Sequence, residues 1–192
     1  MANSDTPFGL KPVRHLSGMP YNGAVTIYAT AAGDSTAIYV GDPVKLSGTS
    51  QTINGRIYKD VDQAATGDVI VGVVVSVVPE TADSLVYRAA STQRRVAVAD
   101  ASDLVFEIQE VSGGTALTAN DAGMNADFVV AAGSATTGKS GVELNNATEA
   151  TTNTLDLQIV DFVNRDDNEI GEHAKWLVRI NRHQFANQVA GI

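Results

Sequence analysis

The sequence predicts an all-β protein, a β-sandwich or β-barrel of jelly-roll type preceded by an extended N-terminal arm. Three observations predict it. The apolar residues are mostly Ala and Val, interleaved with Thr, Ser and Gly, a mix that favours strands and turns over long helices. Eight or more short strand-like runs follow one another, separated by turn residues. A chain of 192 residues, 44% of them apolar, can bury a core, and with no internal repeat or second boundary residues 26–192 are expected to form one domain.

The elements follow in order. Residues 1–25 contain "TPFGLKPVRHLSGMPYNGA", in which Pro7, Pro12 and Pro20 alternate with Gly9, Gly18 and Gly23. That forbids regular helix and predicts an extended or looped arm, which either drapes over its own domain or docks on a neighbour. "TIYAT" begins the strands. "AIYVGDPVKL" reads as two extended pieces around a Gly-Asp-Pro turn, and "GDVIVGVVVSVV" as a buried strand or pair broken at Gly72. "RRVAVAD" follows. "DLVFEIQE" places Leu104, Phe106 and Ile108 on one face and Val105, Glu107 and Gln109 on the other, a half-buried strand. In "LTANDAGMNADFVV", Thr118 is positioned to cap a short helix or turn, with Asp121 three residues on. The last two strands are "TLDLQIVDFV", with Leu155, Leu157 and Ile159 on one side, and "AKWLVRINRH", with Trp176, Val178 and Ile180 on one side.

Charge and composition exclude several functions. A net charge of −9 opposes a nucleic-acid partner, which is met by clustered Lys and Arg. The absence of cysteine removes disulfides, thiolate nucleophiles and Cys metal sites. The start has no apolar signal region, and the longest apolar run, "VIVGVVVSVV", is about half a membrane span, so no membrane association is expected.

One motif competes with these exclusions. Gly133–Ser140 fits G-x-x-x-x-G-K-[ST], in which backbone amides cradle phosphate, the lysine reaches it and the hydroxyl holds magnesium. Such a loop must enter a helix, yet "SGVELNNATEATTNTLDLQ" follows, and Asp161 lies only about twenty residues beyond Lys139. The stretch is therefore expected to be a polar loop with Lys139 at a solvated tip. "RDDNEIGE" offers Asp166, Asn168 and Gly171 in a calcium-loop pattern, but Ile170 and Leu177 stand where ligands belong, which favours a solvated turn. His15, His173 and His183 have no metal-ligand spacing, and no nucleophile elbow or carboxylate pair is present, so no catalytic residue, cofactor or metal is assigned.

Across most of its length, in "TPFGLKPVRHLSGMPYNGA", "AIYVGDPVKLSG", "TGDVIVGVVVSV", "VYRAASTQRRVAV" and "DNEIGEHAKWLVRINRHQF", the chain resembles small virion structural proteins of tailed bacteriophages, the capsid decoration or cement class. The resemblance implies a non-enzymatic protein, made in the host cytoplasm, that sits on the outer capsid surface. It implies a homotrimer bound to the major capsid protein. Within the arm, Phe8, Leu10, Pro12, Val13, Arg14 and Tyr21 become the candidate contacts to capsid or neighbouring subunit. On this reading, deleting residues 1–20 leaves a folded domain that no longer binds particles. A tail or head-completion component, and a phosphate-loop nucleotide-binding protein, are the alternatives.

Overall fold

A computed structural model of the chain describes residues 3–192; Met1 and Ala2, the first residues of the expected arm, lie outside the described residues. The all-β expectation holds. After β1 (Lys11–His15), five strands close into a barrel: β2 (Thr26–Thr30), β3 (Pro43–Ile53), β4 (Arg56–Gln63), β5 (Gly72–Val77) and β6 (Arg94–Ala99), in the order β2-β4-β3-β5-β6. Then come β7 (Leu104–Gln109), β8 (Asn125–Ala126), the short pair β9 (Phe128–Val129) and β10 (Glu143–Leu144), β11 (Leu157–Phe162) and β12 (Lys175–Ile180). With β1 these build an open antiparallel sheet in the order β1-β7-β12-β11-β8.

The local chemistry explains the turns. β3 and β4 are joined by Asn54-Gly55, both at positive φ, the two-residue turn whose twist matches antiparallel strands. This hairpin, including all of β4, is not among the runs expected above, although Asn-Gly between strand formers is its signal. Gly72 opens β5 instead of breaking a strand: a Cβ there would overlap the carbonyl oxygen of Ala99 on β6. Thr118 caps a single 3-10 turn, Ala119–Asp121. Its hydroxyl accepts from the Asn120 amide, and the Asp121 carboxylate accepts from the Thr118 amide at 2.7 Å.

Barrel and sheet share an interior. Trp176, Phe106, Leu104, Ile108 and Val178 of the sheet cluster with Val73 and Ala99 of the barrel and with Ala64 and Ile70 of the β4–β5 connection, while Tyr28, Val44, Val61, Val74 and Val98 fill the barrel itself. Each large side chain fully removed from water contributes about 1.5–3 kcal/mol. Within the barrel, Arg88 ties two connecting loops together: its buried guanidinium donates to Thr92 O, Ala31 O, Thr36 O, Asp34 O and Asp34 Oδ2. All five of its N–H groups are thereby used.

Strand β7 departs from its expected half-burial. All six residues are buried, because β7 lies between β1 and β12 while residues 3–8 and the 163–175 turn supply partners to its second face. The polar side chains on that face are paired, not solvated. Glu107 accepts from both terminal nitrogens of Arg165, and Gln109 Oε1 accepts from the Thr6 amide.

Candidate functional site

The N-terminal segment is built into the body. Asn3 donates to the carbonyls of Glu169 and Glu172 and accepts from the Glu169 amide, Thr6 N donates to Gln109, and Leu10 N donates to Gly41 O at 2.9 Å. Gly9 and Gly41 make the crossing possible. Gly9 sits at φ 72°, and a Cβ on it would overlap Gly41 O and crowd Ser140; Gly41 sits at φ 99°, and a Cβ on it would overlap Phe8 O. Residues 11–15 then form the edge strand β1, where Pro12 is tolerated and a bulge between Pro12 and Arg14 absorbs the register change.

The six expected contact residues therefore separate into groups. Leu10 is 1% exposed and packs in the shared core, so its side chain is committed to its own chain, a correction to its expected role as a contact in an arm. Its burial follows from the Gly9–Gly41 crossing, which draws the backbone onto the sheet. Phe8, Pro12 and Tyr21 are half-buried around a cavity. Val13 is 37% exposed, and Arg14 is half-buried, with Nη1 on the carbonyl of His15.

Beyond β1 the chain turns back on itself. Tyr21 N donates to Val13 O, His15 N to Met19 O and Gly18 N to His15 O, closing a hairpin over residues 13–21. Gly18, at φ 88°, makes the turn. Its tip is anchored by Leu16 N on Asp103 O and by the His15 ring 3.1 Å from the Asp103 carboxylate. Leu16 and Met19 stand at that tip, 44% and 62% exposed, beside the exposed Val13. Other large apolar side chains are exposed as well, Ile57, Val86 and Phe185 among them. Met19 escaped the sequence reading because nothing in the spacing signals a hairpin there.

The cavity, about 560 Å³, opens between the N-terminal segment, β5, β7 and β12. Leu10, Val74, Phe8, Pro12 and Tyr21 give it an apolar wall. Lys11, Lys139, Lys175 and Arg165 line it as well, in a protein of net charge −9. Glu107 is the one carboxylate in the lining among the described residues, and Arg165 holds both of its oxygens, at 2.9 and 3.2 Å. Lys175 Nζ lies 3.6 Å from Asp167, whereas Lys11 and Lys139 have no ion pair among the described residues. No sequence window could reveal this grouping, since the four cations come from three separate segments, Arg165 and Lys175 sharing one.

Lys139 reaches the cavity from the phosphate-loop look-alike. Residues 133–141 form a loop and no helix begins at Lys139. Its amides are already engaged: Ser134 N on Lys139 O, Gly138 N on Ser134 O, Thr137 N on Ser134 Oγ, Ser140 N on Val40 O. None of these four points outward to hold phosphate. The glycines serve packing instead, for a Cβ on Gly133 would overlap the Tyr39 ring and one on Gly138 would crowd Val86. Ser140 is 1% exposed, against Gly9. Lys139 is thus exposed as expected, but at the mouth of a cavity and not at a free loop tip.

The remaining motifs resolve into structural roles. Asn168, in the calcium-like turn, is buried; it donates to the carbonyls of Val163 and Lys175 and accepts from Lys175 N, stapling the β11–β12 connection. Asp5, Glu143 and His173 bring ligand atoms within 4.8 Å of one another. They converge on the amide nitrogen of Gln109, at 3.1, 2.9 and 3.3 Å, so a hydrogen-bond donor already holds the centre that a cation needs. Burial pushes the Glu143 carboxyl up, against the pull of that Gln109 bond. Buried His183 accepts from Phe185 N at Nδ1, and desolvation lowers its pKa. No family model, no curated protein and no solved structure matches the chain.

Proposed function

We propose that this protein is a non-enzymatic virion structural protein that decorates and stabilises a capsid shell by bridging neighbouring capsid subunits, with the 13–21 hairpin as its contact. The observation that carries the reading is the pair Leu16 and Met19, held 44% and 62% exposed on a turn anchored to the body. Because the turn is ordered before binding, docking it costs little chain entropy. Burying such side chains contributes roughly 25 cal/mol per Å², and repetition over a symmetric shell adds avidity to a modest single contact. The acidic body suits a partner face that is neutral or basic. Trimeric assembly on the outer capsid surface, with the major capsid protein as partner, belongs to the same proposal.

The test is co-assembly of the chain with shells of the virus that encodes it, comparing wild type with Leu16→Asp/Met19→Asp. Both side chains are exposed, so the variant is expected to melt like wild type while its occupancy on shells falls at least tenfold. Equal occupancy would remove the hairpin from the interface, and absence of the wild-type protein from the shell would sink the reading as a whole.

A further inference from the structure

We propose that the cavity between the N-terminal segment, β5, β7 and β12 is a binding site for a small amphipathic anion, a carboxylate or phosphate monoester carrying an apolar body. The proposal does not rest on the capsid reading. Volume comes first: about 560 Å³ falls within the range of small-molecule sites and accommodates a chain or ring system of drug-like size. Composition comes second. The chain has 13 Lys and Arg among 192 residues, so a lining of this size drawn at random would carry about one cation, yet this one carries four.

The distribution of those charges points to an anion. Glu107 is neutralised by the bidentate Arg165 contact, and Arg165 Nε also donates to Asp167 at 3.0 Å, so the guanidinium is committed to carboxylates and the unpaired charge lies on the lysines. Lys11 and Lys139 are without ion pairs among the described residues, and the Lys175 side chain, only 15% exposed, has one contact at 3.6 Å. Lys11, Lys139 and Lys175 line one cavity of an acidic protein, so an anion bound there gains attraction from each of them. In the same lining, Phe8, Pro12, Tyr21 and the buried Leu10 and Val74 offer apolar surface with no competing acceptor on their side chains other than the Tyr21 hydroxyl, which donates to Ala24 O. A headgroup held by the lysines with its apolar body along that surface satisfies both halves. The lysine of the phosphate-loop look-alike thereby acquires an anion-facing position without the loop's amides taking part.

Titration calorimetry of the full chain with decanoate, decyl phosphate and decanol tests this. Saturable binding of at least one of the two anions is expected, at least tenfold tighter than decanol and weakened as NaCl rises from 50 to 500 mM; the tighter anion identifies the headgroup class. The variant Lys11→Gln/Lys139→Gln should weaken the anion about tenfold or more. Arg56→Gln/Lys59→Gln carries the same change in net charge on β4, outside the cavity, and should bind as wild type does. Circular dichroism melts of both variants establish that each is folded. Absence of saturable anion binding by the wild type, decanol binding as tightly as the anions, or equal loss in the two variants would each overturn the proposal.

Discussion

Gly41 shows at the scale of one residue how closely three segments are fitted. It holds φ 99°, accepts the Leu10 amide and leaves no room for a Cβ beneath Phe8 O, whereas Gly18, at φ 88°, faces open space. The two glycines separate backbone strain from packing. Gly18→Ala carries only the cost of a positive φ, about 1 kcal/mol, while Gly41→Ala adds overlap with a backbone atom that cannot swing away, for roughly 2–4 kcal/mol in total. In thermal melts, Gly41→Ala should lower Tm by about 5–15 °C and Gly18→Ala by only a few degrees. Equal shifts would mean that the crossing of Phe8 over Gly41 is not tightly packed in solution. The same logic reinterprets Gly133 and Gly138, which a motif assigns to phosphate and the structure assigns to Tyr39 and Val86.

Among the elements, β1 changes most between sequence and structure. Deleting residues 1–20 was expected to leave a folded domain, but that deletion removes an edge strand, the buried Leu10 and the Thr6 partner of Gln109. Losing the Leu10 side chain alone is worth about 2–5 kcal/mol. The truncated protein should therefore melt at least 5–10 °C lower than wild type, a range that follows from about 2–4 °C per kcal/mol. An unchanged melting curve would return the segment to the status of an arm. The strands read best were those whose alternation survives inspection: Trp176, Val178 and Ile180 are buried on one face of β12, and Leu157 and Ile159 likewise on β11, although Leu155, expected on the same face, precedes the strand and is half-buried. β1 was illegible because Pro12 and the flanking glycines describe loops locally, and only an edge position with a bulge admits them. β7 misled in the other direction: Glu107 and Gln109 read as solvent-facing, while Arg165 and Thr6, 58 and 103 residues away, supply their partners. The cavity was invisible for the same reason, since its lining is assembled by topology from Lys11, Val74, Lys139 and Lys175.

Buried ionisable groups give the whole molecule a definite pH dependence. Burial pushes Asp42 and Glu110 up to about 6 and Asp156 up to about 7, against ordinary values of 3.8, 4.5 and 3.8. Each raised value means that the fold keeps a proton the unfolded chain has released. Stability from these groups is full below about pH 4 and is lost as pH rises through 6–7. His183 works against them: its lowered pKa makes the fold resist protonation, so its contribution is present above 6.5 and is lost as pH falls below that value. Asp68 and Asp167, both lowered by cationic partners, give up stability only below the ordinary carboxylate range. Five raised carboxylates, counting Asp62 and Glu143, which burial also pushes up, against one imidazole give a net gain on acidification from pH 8 to 5, with Tm higher by on the order of 5 °C at pH 5. Net charge moves the same way, since a chain at −9 repels itself less as it approaches its pI near 4.6. Glu110→Gln separates the two causes. Trp176 Nε1 donates to Glu110 Oε2 at 2.6 Å, and an amide oxygen can accept that bond without carrying charge. The variant should be more stable than wild type at pH 8, by roughly 2 kcal/mol from a shift of about one and a half units, with the advantage shrinking as pH falls and vanishing below about pH 4. A constant offset across the range would assign the pH dependence to surface charge and not to the buried carboxyls.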